Sequence, residues 1–363
     1  MQTQFGVSEV SQFVLRAQPG APITQHITAT GRDPAKIYAE KKYNFITRPP
    51  GGGEWVNRLI NEKLQFFFGE IEIKKSTRVL DIGAGSTWIA DRFRESFGVA
   101  SYTCIDPALQ DSAEEYPKIV QAYFPIPEIV SQQFDLILAF NVLEHVSSAL
   151  DFLKSIKLSL AEGGMAVFSV PDCARFLERG DINGFLHEHL TYFTESSLRA
   201  MLDFTGLRIV KLISDRDLFS VIVTHGTVRK EALAKLDERN LLRHFHGCVE
   251  RLCSELPKMV KKHLSAGKRV GFHGATHGLN TLCHITGLKD APLFIFDGDR
   301  SKTGFYLPAS TSKIRAPDDP LYAQMDLIIV SAMSFEEEIM ADAAARTGLG
   351  ATNILPMIVE PDI

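Results

Sequence analysis

Tryptophan is almost missing from this 363-residue chain, with two copies, and cysteine is scarce, with five. The cysteines are Cys104, Cys173, Cys248, Cys253 and Cys283, and no two form a C-x-x-C pair, so spacing gives no support to a structural zinc site. Their odd number and irregular spacing suit free thiols in a reducing compartment. Positive charge is not in excess either: 39 Lys and Arg face 44 Asp and Glu, for a net charge of -5. Nucleic-acid binding draws on clustered basic side chains set against phosphates, and here the basic residues are scattered apart from small groups such as Lys261-Lys262. No nucleic-acid partner is expected. Apolar runs are short, well under the roughly 20 residues of a membrane helix, and the N-terminus shows no charged start followed by an apolar stretch. These absences lead to the expectation of a cytoplasmic protein without a membrane partner, a monomer or homodimer acting on a small molecule.

What is present is ordinary globular composition, 45% hydrophobic and 23% charged, with length enough for two or three domains. Residues 1–54 have weak periodicity and close on the breaker cluster Arg48-Pro49-Pro50-Gly51-Gly52-Gly53, which reads as a mostly irregular arm or cap. Helical spacing of Trp55, Leu59, Ile60, Leu64, Phe67 and Phe68 opens a domain over residues 55–227. Within it short apolar strands alternate with helices. Strands are expected at Arg78–Ile82, Ala100–Ile105, Phe134–Phe140 and Met165–Val170, and helices at Trp88–Phe97, Ser148–Leu160 (stopped by Gly163-Gly164) and Glu195–Thr205. Such alternation implies a parallel sheet covered on both faces, and the last strand pair, Arg208–Ile213 and Leu218–Thr224, suggests an antiparallel edge. Residues 228–266 read as a charged helical connector interrupted at Pro257. Residues 267–363 repeat the strand-glycine-helix device and form a second, smaller α/β domain.

The first strand ends in Asp81-Ile82-Gly83-Ala84-Gly85. Glycines let the chain turn sharply and let a ligand approach the backbone, and the helix that follows at once offers free amides. Dinucleotide enzymes use this geometry for pyrophosphate, but here Asp81 would repel a pyrophosphate, the G-x-G-x-x-G count fails at Trp88, and that indole would crowd the helix. An acid in the turn suits a cationic ligand with an amino-acid head. Asp106-Pro107, at the tip of the second strand, is placed to accept from ribose hydroxyls.

The series V-L-D-I-G-A-G-S-T, an acid closing the second strand, F-D-L-I-L-A-F-N-V-L-E-H-V and then L-x-x-G-G resembles the class I S-adenosylmethionine-dependent methyltransferases. Thr87 stands where many members have a third glycine. The resemblance implies a Rossmann-like fold with S-adenosylmethionine as methyl donor. It also implies that Asp81, Gly83, Ala84 and Gly85 hold the methionine part, Asp106 and Pro107 the ribose, and Asn141 the region near the sulfonium. Gln121-Ala122-Tyr123 would supply an adenine pocket.

Methyl transfer by displacement needs the acceptor aligned and often deprotonated, and histidine is the usual base near neutral pH. Leu186-His187-Glu188-His189-Leu190-Thr191-Tyr192-Phe193 is dense in such groups and follows a strand's carboxyl end, where open α/β sheets bind ligands. In an extended H-E-H only His187 and His189 share a face and no second ligand pair is evident, so no metal is expected. E-H-L-T-Y-F-T-E-x-S-L, together with Asn280-Thr281-Leu282, Asp299-Arg300 and Gly304-Phe305-Tyr306-Leu307-Pro308, resembles the nucleotide-sugar C-methyltransferases of deoxysugar pathways. Those begin with a zinc-binding cysteine module, which this chain does not show, and carry an aromatic hydroxyl where Leu186 stands. The resemblance implies His189 as general base assisted by Glu188, a nucleotide-linked keto sugar as acceptor, and a role in carbohydrate biosynthesis; His187, in the same segment, is a further catalytic candidate. Tyr192, His273, Gly274, Asp299 and Tyr306 are the expected substrate contacts, with the turn Gly271–Gly278 as a possible diphosphate cradle. An O-methyltransferase of a sugar or other small metabolite, and a non-catalytic protein retaining the fold, are the rival readings.

Overall fold

The computed structural model describes residues 12–29, 67, 69–109, 116–186, 188–215, 217–308 and 310–358, and in the first stretch the side chains of residues 14–25. Most of the expected arm, most of the Trp55–Phe68 helix and His187 lie outside the described residues. The described chain forms two compact units, one of residues 12–174 and 188–239, the other of residues 175–186 and 240–358.

In the first unit the elements run β1 (Gln12–Arg16), β2 (Ile23–Ala29), β3 (Arg78–Ile82), α1 (Trp88–Phe97), β4 (Ser101–Ile105), β5 (Lys118–Val120), α2 (Pro127–Val130), β6 (Phe134–Phe140), α3 (Ala149–Ser159) and β7 (Leu160–Pro171). After α4 (Cys173–Arg179), most of which belongs to the other unit, come β8 (Thr191–Tyr192), α5 (Glu195–Thr205), β9 (Leu207–Asp215) and β10 (Leu218–His225). The main sheet has the order β5-β4-β3-β6-β7-β10-β9, parallel except for β10, which pairs antiparallel with both β7 and β9. Strand order reverses between β3 and β6, and a crevice outside the carboxyl ends at such a point is where doubly wound sheets take their ligands. Asp135, the lone acid in an otherwise apolar β6, is explained here. Its carboxylate accepts from the Arg78 amide at 2.8 Å and pairs with the Arg78 guanidinium, tying the amino ends of β3 and β6 in register and lowering the Asp135 pKa.

Two expectations about this unit are corrected. Helix α3 ends at Ser159 with Leu160 as its cap, close to the expected bounds, but Gly163-Gly164 do not stop it: they lie inside β7 where its register with β6 slips. Gly163 is left-handed there, and a Cβ on Gly164 would press the carbonyls of Ala161 and Asp135 at 3.0 and 3.1 Å, so the glycines serve a strand irregularity instead of a helix stop. The N-terminal region is also less irregular than expected. β1 and β2 form an antiparallel hairpin, and β2 pairs with β8 through Ile23–Tyr192 and Thr24–Thr191, giving a three-stranded sheet.

The second unit has α6 (Arg239–Ser265), β11 (Val270–His273), α7 (His277–Thr286), β12 (Phe294–Phe296), β13 (Ile314–Arg315), β14 (Leu327–Val330), α8 (Glu336–Thr347) and β15 (Ile354–Pro356). Its sheet is wholly parallel, in the order β13-β12-β11-β14-β15. Helix α6 runs through Pro257 without interruption. Proline inside a helix costs about 3 kcal/mol, offset here because Leu252, Leu256, Pro257 and Val260 are all buried. The excursion of residues 175–186 is fixed within the unit: the Phe185 and Phe245 rings lie 4.5 Å apart, and a Cβ on Gly180 would strike Cys248 Cβ at 2.4 Å. Among the described residues no helix is long and apolar enough to cross a membrane.

Candidate active site

The glycine turn follows β3. Gly83 and Gly85 have φ of 65° and 63°, which side chains disfavour. A Cβ on Gly83 would also meet Val142 Cγ2 at 2.5 Å, so the turn is pressed against the carboxyl end of β6. The Gly83 amide donates to the Ile105 carbonyl at 2.8 Å. Asp106, buried at the tip of β4, accepts from the Gly85 amide at 2.8 Å with Oδ2 and from the Ala108 amide at 2.7 Å with Oδ1. A carboxylate has about four lone-pair sites, so each oxygen keeps one for a further donor. Asp81 is buried and accepts from the Tyr102 hydroxyl at 2.9 Å; burial first, and then the Asp81 charge, push the Tyr102 phenol far up, so it remains a donor. Gln121-Ala122-Tyr123 leaves the end of β5 beside this turn. The Asp106 amide donates to Val120 and the Gln121 amide group donates to the Pro107 carbonyl at 3.3 Å.

Across the reversal point, Asn141 closes β6 at φ 54°, a left-handed conformation that asparagine tolerates. The Ser169 hydroxyl donates to its Oδ1 at 2.9 Å and its Nδ2 donates to Glu144 Oε1 at 3.3 Å. The loop Asn141–His145 is in turn laced to the His189 segment. Leu190 and Thr191 amides both donate to the Glu144 carbonyl, at 2.7 and 3.2 Å, and His145 Nδ1 donates to the Glu188 carbonyl at 3.0 Å. His189 is buried, with its ring edge-to-face on His145 at 4.7 Å and 6.0 Å from the Tyr192 ring. Tyr192 is buried and donates to Gln25 Oε1 at 2.7 Å, so the N-terminal hairpin holds the histidine segment from its other side.

The structure thus brings Asp81, Gly83, Ala84, Gly85, Asp106, Pro107 and Asn141 to adjacent strand ends of one sheet, and ties Glu188, His189 and Tyr192 to the same loop system. Three contributors to this lacing, Gln25, Ser169 and Tyr102, carried no sequence signal, since each acts through a partner distant in the chain. The Glu144-His145 pair was visible within the N-V-L-E-H-V run but not its use.

The expected substrate residues of the second unit are placed differently from one another. His273 ends β11 with its ring buried against Tyr322, Nδ1 to hydroxyl 2.7 Å. Burial lowers its pKa to about 4, so the ring is neutral at pH 7. Gly274, at φ 118°, lies so close to β14 that a Cβ would meet the Ala332 amide nitrogen at 2.7 Å. Asp299 follows the carboxyl end of β12 and accepts from the Ser301 amide and hydroxyl. Tyr306 forms an isolated bridge with Lys313, the residue before edge strand β13, and its ring lies 5.8 Å from the Lys313 ammonium. The turn that could cradle a diphosphate has internal acceptors: Ala275 donates to Asp297 at 2.7 Å, Gly278 to Asn183 Oδ1 at 2.9 Å and Leu279 to Thr276 at 3.1 Å.

Residues 53–212 match a family described as a methyltransferase domain, and residues 222–357 match the C-methyltransferase C-terminal domain. The chain is 25% identical over 235 residues to the C-methyltransferase NovU of Streptomyces niveus, covering 60% of this chain and 56% of that protein. It is 27% identical over 185 residues to a ubiquinone biosynthesis O-methyltransferase of Ruegeria sp., covering 41% of this chain and 73% of that one. A solved S-adenosylmethionine-dependent methyltransferase from Clostridium acetobutylicum overlaps 48% of the chain at 13% identity, with a TM-score of 0.34.

Proposed function

We propose that this chain, an S-adenosylmethionine-dependent methyltransferase of class I that also carries a C-methyltransferase C-terminal domain, methylates a carbon of a nucleotide-linked keto sugar with His189 as general base. The observation that carries this reading is the lacing of Glu188–Thr191 to Asn141–His145, since it sets the buried imidazole of His189 beside the strand end where the donor turn lies.

The residues present fit the methyl donor. The Gly83 cradle is too close for a Cβ, Asp106 retains acceptor capacity for ribose hydroxyls, and buried Asp81 suits a cationic amino-acid head. When bound there, S-adenosylmethionine supplies an electrophilic methyl on a sulfonium that leaves readily. Asn141, fixed by Ser169 and Glu144, presents its polar edge at the strand end. His189 takes a proton from the carbon next to the acceptor's carbonyl, and the Glu188 backbone, held by His145, keeps that ring in place. Enclosure of His189 and Glu188 keeps bulk water from the reacting carbon. Asp299, with Tyr306 further along the second unit, is assigned to the nucleotide portion. His273 and Gly274 support that unit's strand end through packing.

His189→Asn should lower turnover by about two to four orders of magnitude, the ordinary worth of a general base, while calorimetry with S-adenosylhomocysteine stays at wild-type affinity. Wild-type turnover in that variant would remove His189 from the role. The Ruegeria relative favours one alternative, transfer to oxygen. An acceptor deuterated beside its carbonyl separates the two: carbon methylation washes the label out, whereas oxygen methylation retains it. A nucleotide sugar that neither binds nor turns over would sink the acceptor assignment.

A further inference from the structure

His145 stands with Glu144 and His189 in a cluster that the methyl-transfer scheme uses only in part. Its Nδ1 lies 3.0 Å from the Glu188 carbonyl, and a carbonyl only accepts, so Nδ1 carries the proton. In the neutral ring the lone pair is then on Nε2, which faces Glu144 Oε1 at 3.8 Å. Two electron-rich atoms face each other at a distance too long for a direct hydrogen bond. A cation between them, either a second proton on the ring or a metal ion, would be held by both.

His189 decides between these. Glu144, His145 and His189 each offer a ligand atom, and the three atoms lie within 4.8 Å of one another. Two ligands about 2.1 Å from a tetrahedral centre stand about 3.4 Å apart, so the three atoms must close by up to about 1.4 Å to share one ion, and the His145–Glu144 pair at 3.8 Å by much less. The set is two imidazoles and one carboxylate, nitrogen-rich and bearing one negative charge, which suits Zn²⁺ or Co²⁺ and disfavours Mg²⁺ and Ca²⁺. The surroundings orient the ligands as in built metal sites: the Nδ1–H of His145 on a carbonyl presents Nε2 outward, and Asn141 Nδ2 donates to the Glu144 carboxylate. Backbone bonds from Leu190 and Thr191 to Glu144 hold the two ligand-bearing segments together.

We propose that Glu144, His145 and His189 form a binding site for one transition-metal cation of the zinc class, and that the ion, by taking the His189 lone pair, switches methyl transfer off. Binding stands on the geometry alone. The switch rests on His189 being the base.

The test titrates Co²⁺ alone into the chelator-treated full-length chain, reading visible absorption and calorimetry. One ion per chain is expected, with the intense visible bands of a low-coordinate site, and His145→Gln and Glu144→Gln should each weaken binding at least tenfold. His225→Gln, whose Nε2 bonds the Leu160 carbonyl instead, should bind as wild type does. Two substitutions guard against misfolding, and a melting curve qualifies each. Absence of Co²⁺ binding by the wild type, or wild-type affinity in the folded His145 and Glu144 variants, overturns the site. Saturating Zn²⁺ should cut turnover at least tenfold and chelator should restore it; full activity with the ion bound overturns the switch. If His189→Asn turns over normally but Co²⁺ still binds the wild type, the base assignment falls and the metal site stands.

Discussion

A methyl group added at Gly83 meets two obstacles together: a backbone angle that L-residues disfavour and Val142 at 2.5 Å. Left-handed backbone costs alanine about 1 kcal/mol, and overpacking adds about 1–3 kcal/mol. Gly83→Ala should therefore lower stability by about 3 kcal/mol and weaken S-adenosylhomocysteine binding, and Val142→Ala in the same chain should recover part of the stability but not the backbone share; urea unfolding and calorimetry read both. If Asp106 holds the ribose as proposed, Asp106→Asn removes the charge those contacts would draw on and should weaken the same ligand about tenfold to a hundredfold, with little change in melting. Asp81, Gly83, Asp106 and Asn141 were legible in the sequence because the acid-and-glycine turn and the strand-end polar residues stand in a fixed order along one local pattern. Tyr102, Ser169 and Gln25 were not, because their hydrogen bonds span 21, 28 and 167 residues. No local periodicity encodes such distances.

Elements show the same division. The parallel strands and their helices follow from short apolar runs punctuated by glycine and proline, whereas the order of the strands in the sheet does not. The hairpin β1–β2 escaped because its pairing partner is the two-residue β8, far along the chain and too short to carry alternation. That small sheet bears on the histidine segment directly. Tyr192→Phe deletes the bond to Gln25 and should cost about 1 kcal/mol in melting experiments. Its larger effect should be on turnover, because β8 begins two residues after His189. A kcat drop with an unchanged KM for the methyl donor is the expected pattern. Both units also use one device at their second strand. Asp106 caps the Gly85 amide and Asp297 caps the Ala275 amide, at 2.8 and 2.7 Å. They differ in that Lys302 pairs with Asp297 at 2.9 Å. The second turn thus has its acid neutralised by a lysine from its own unit.

At the scale of the molecule, acid should act first on the second unit. The buried His273 ring has its pKa lowered from 6.5 to about 4, so between those values the unfolded chain binds a proton that the folded one refuses. The His273 share of stability should be lost as pH drops from 6.5 towards 4, an amount on the order of 3 kcal/mol, and be constant below that. Urea midpoints at pH 7 and pH 4.5 measure it, and His273→Gln should flatten the slope.

The path of the chain carries a further consequence. Residues 175–186 belong in space with residues 240–358, yet in the gene they sit inside the stretch that encodes the donor-binding sheet. Asn183 caps the Gly278 amide and donates to the Ser331 carbonyl, so this insert is part of the second unit's own structure. A single recombination junction between the two family segments, near residues 212–222, would strand the insert on the wrong side. The halves of this protein cannot be exchanged by one crossover: a foreign second domain would meet an Asn183 shaped for another. Shuffling here demands two coordinated cuts, one on each side of the insert.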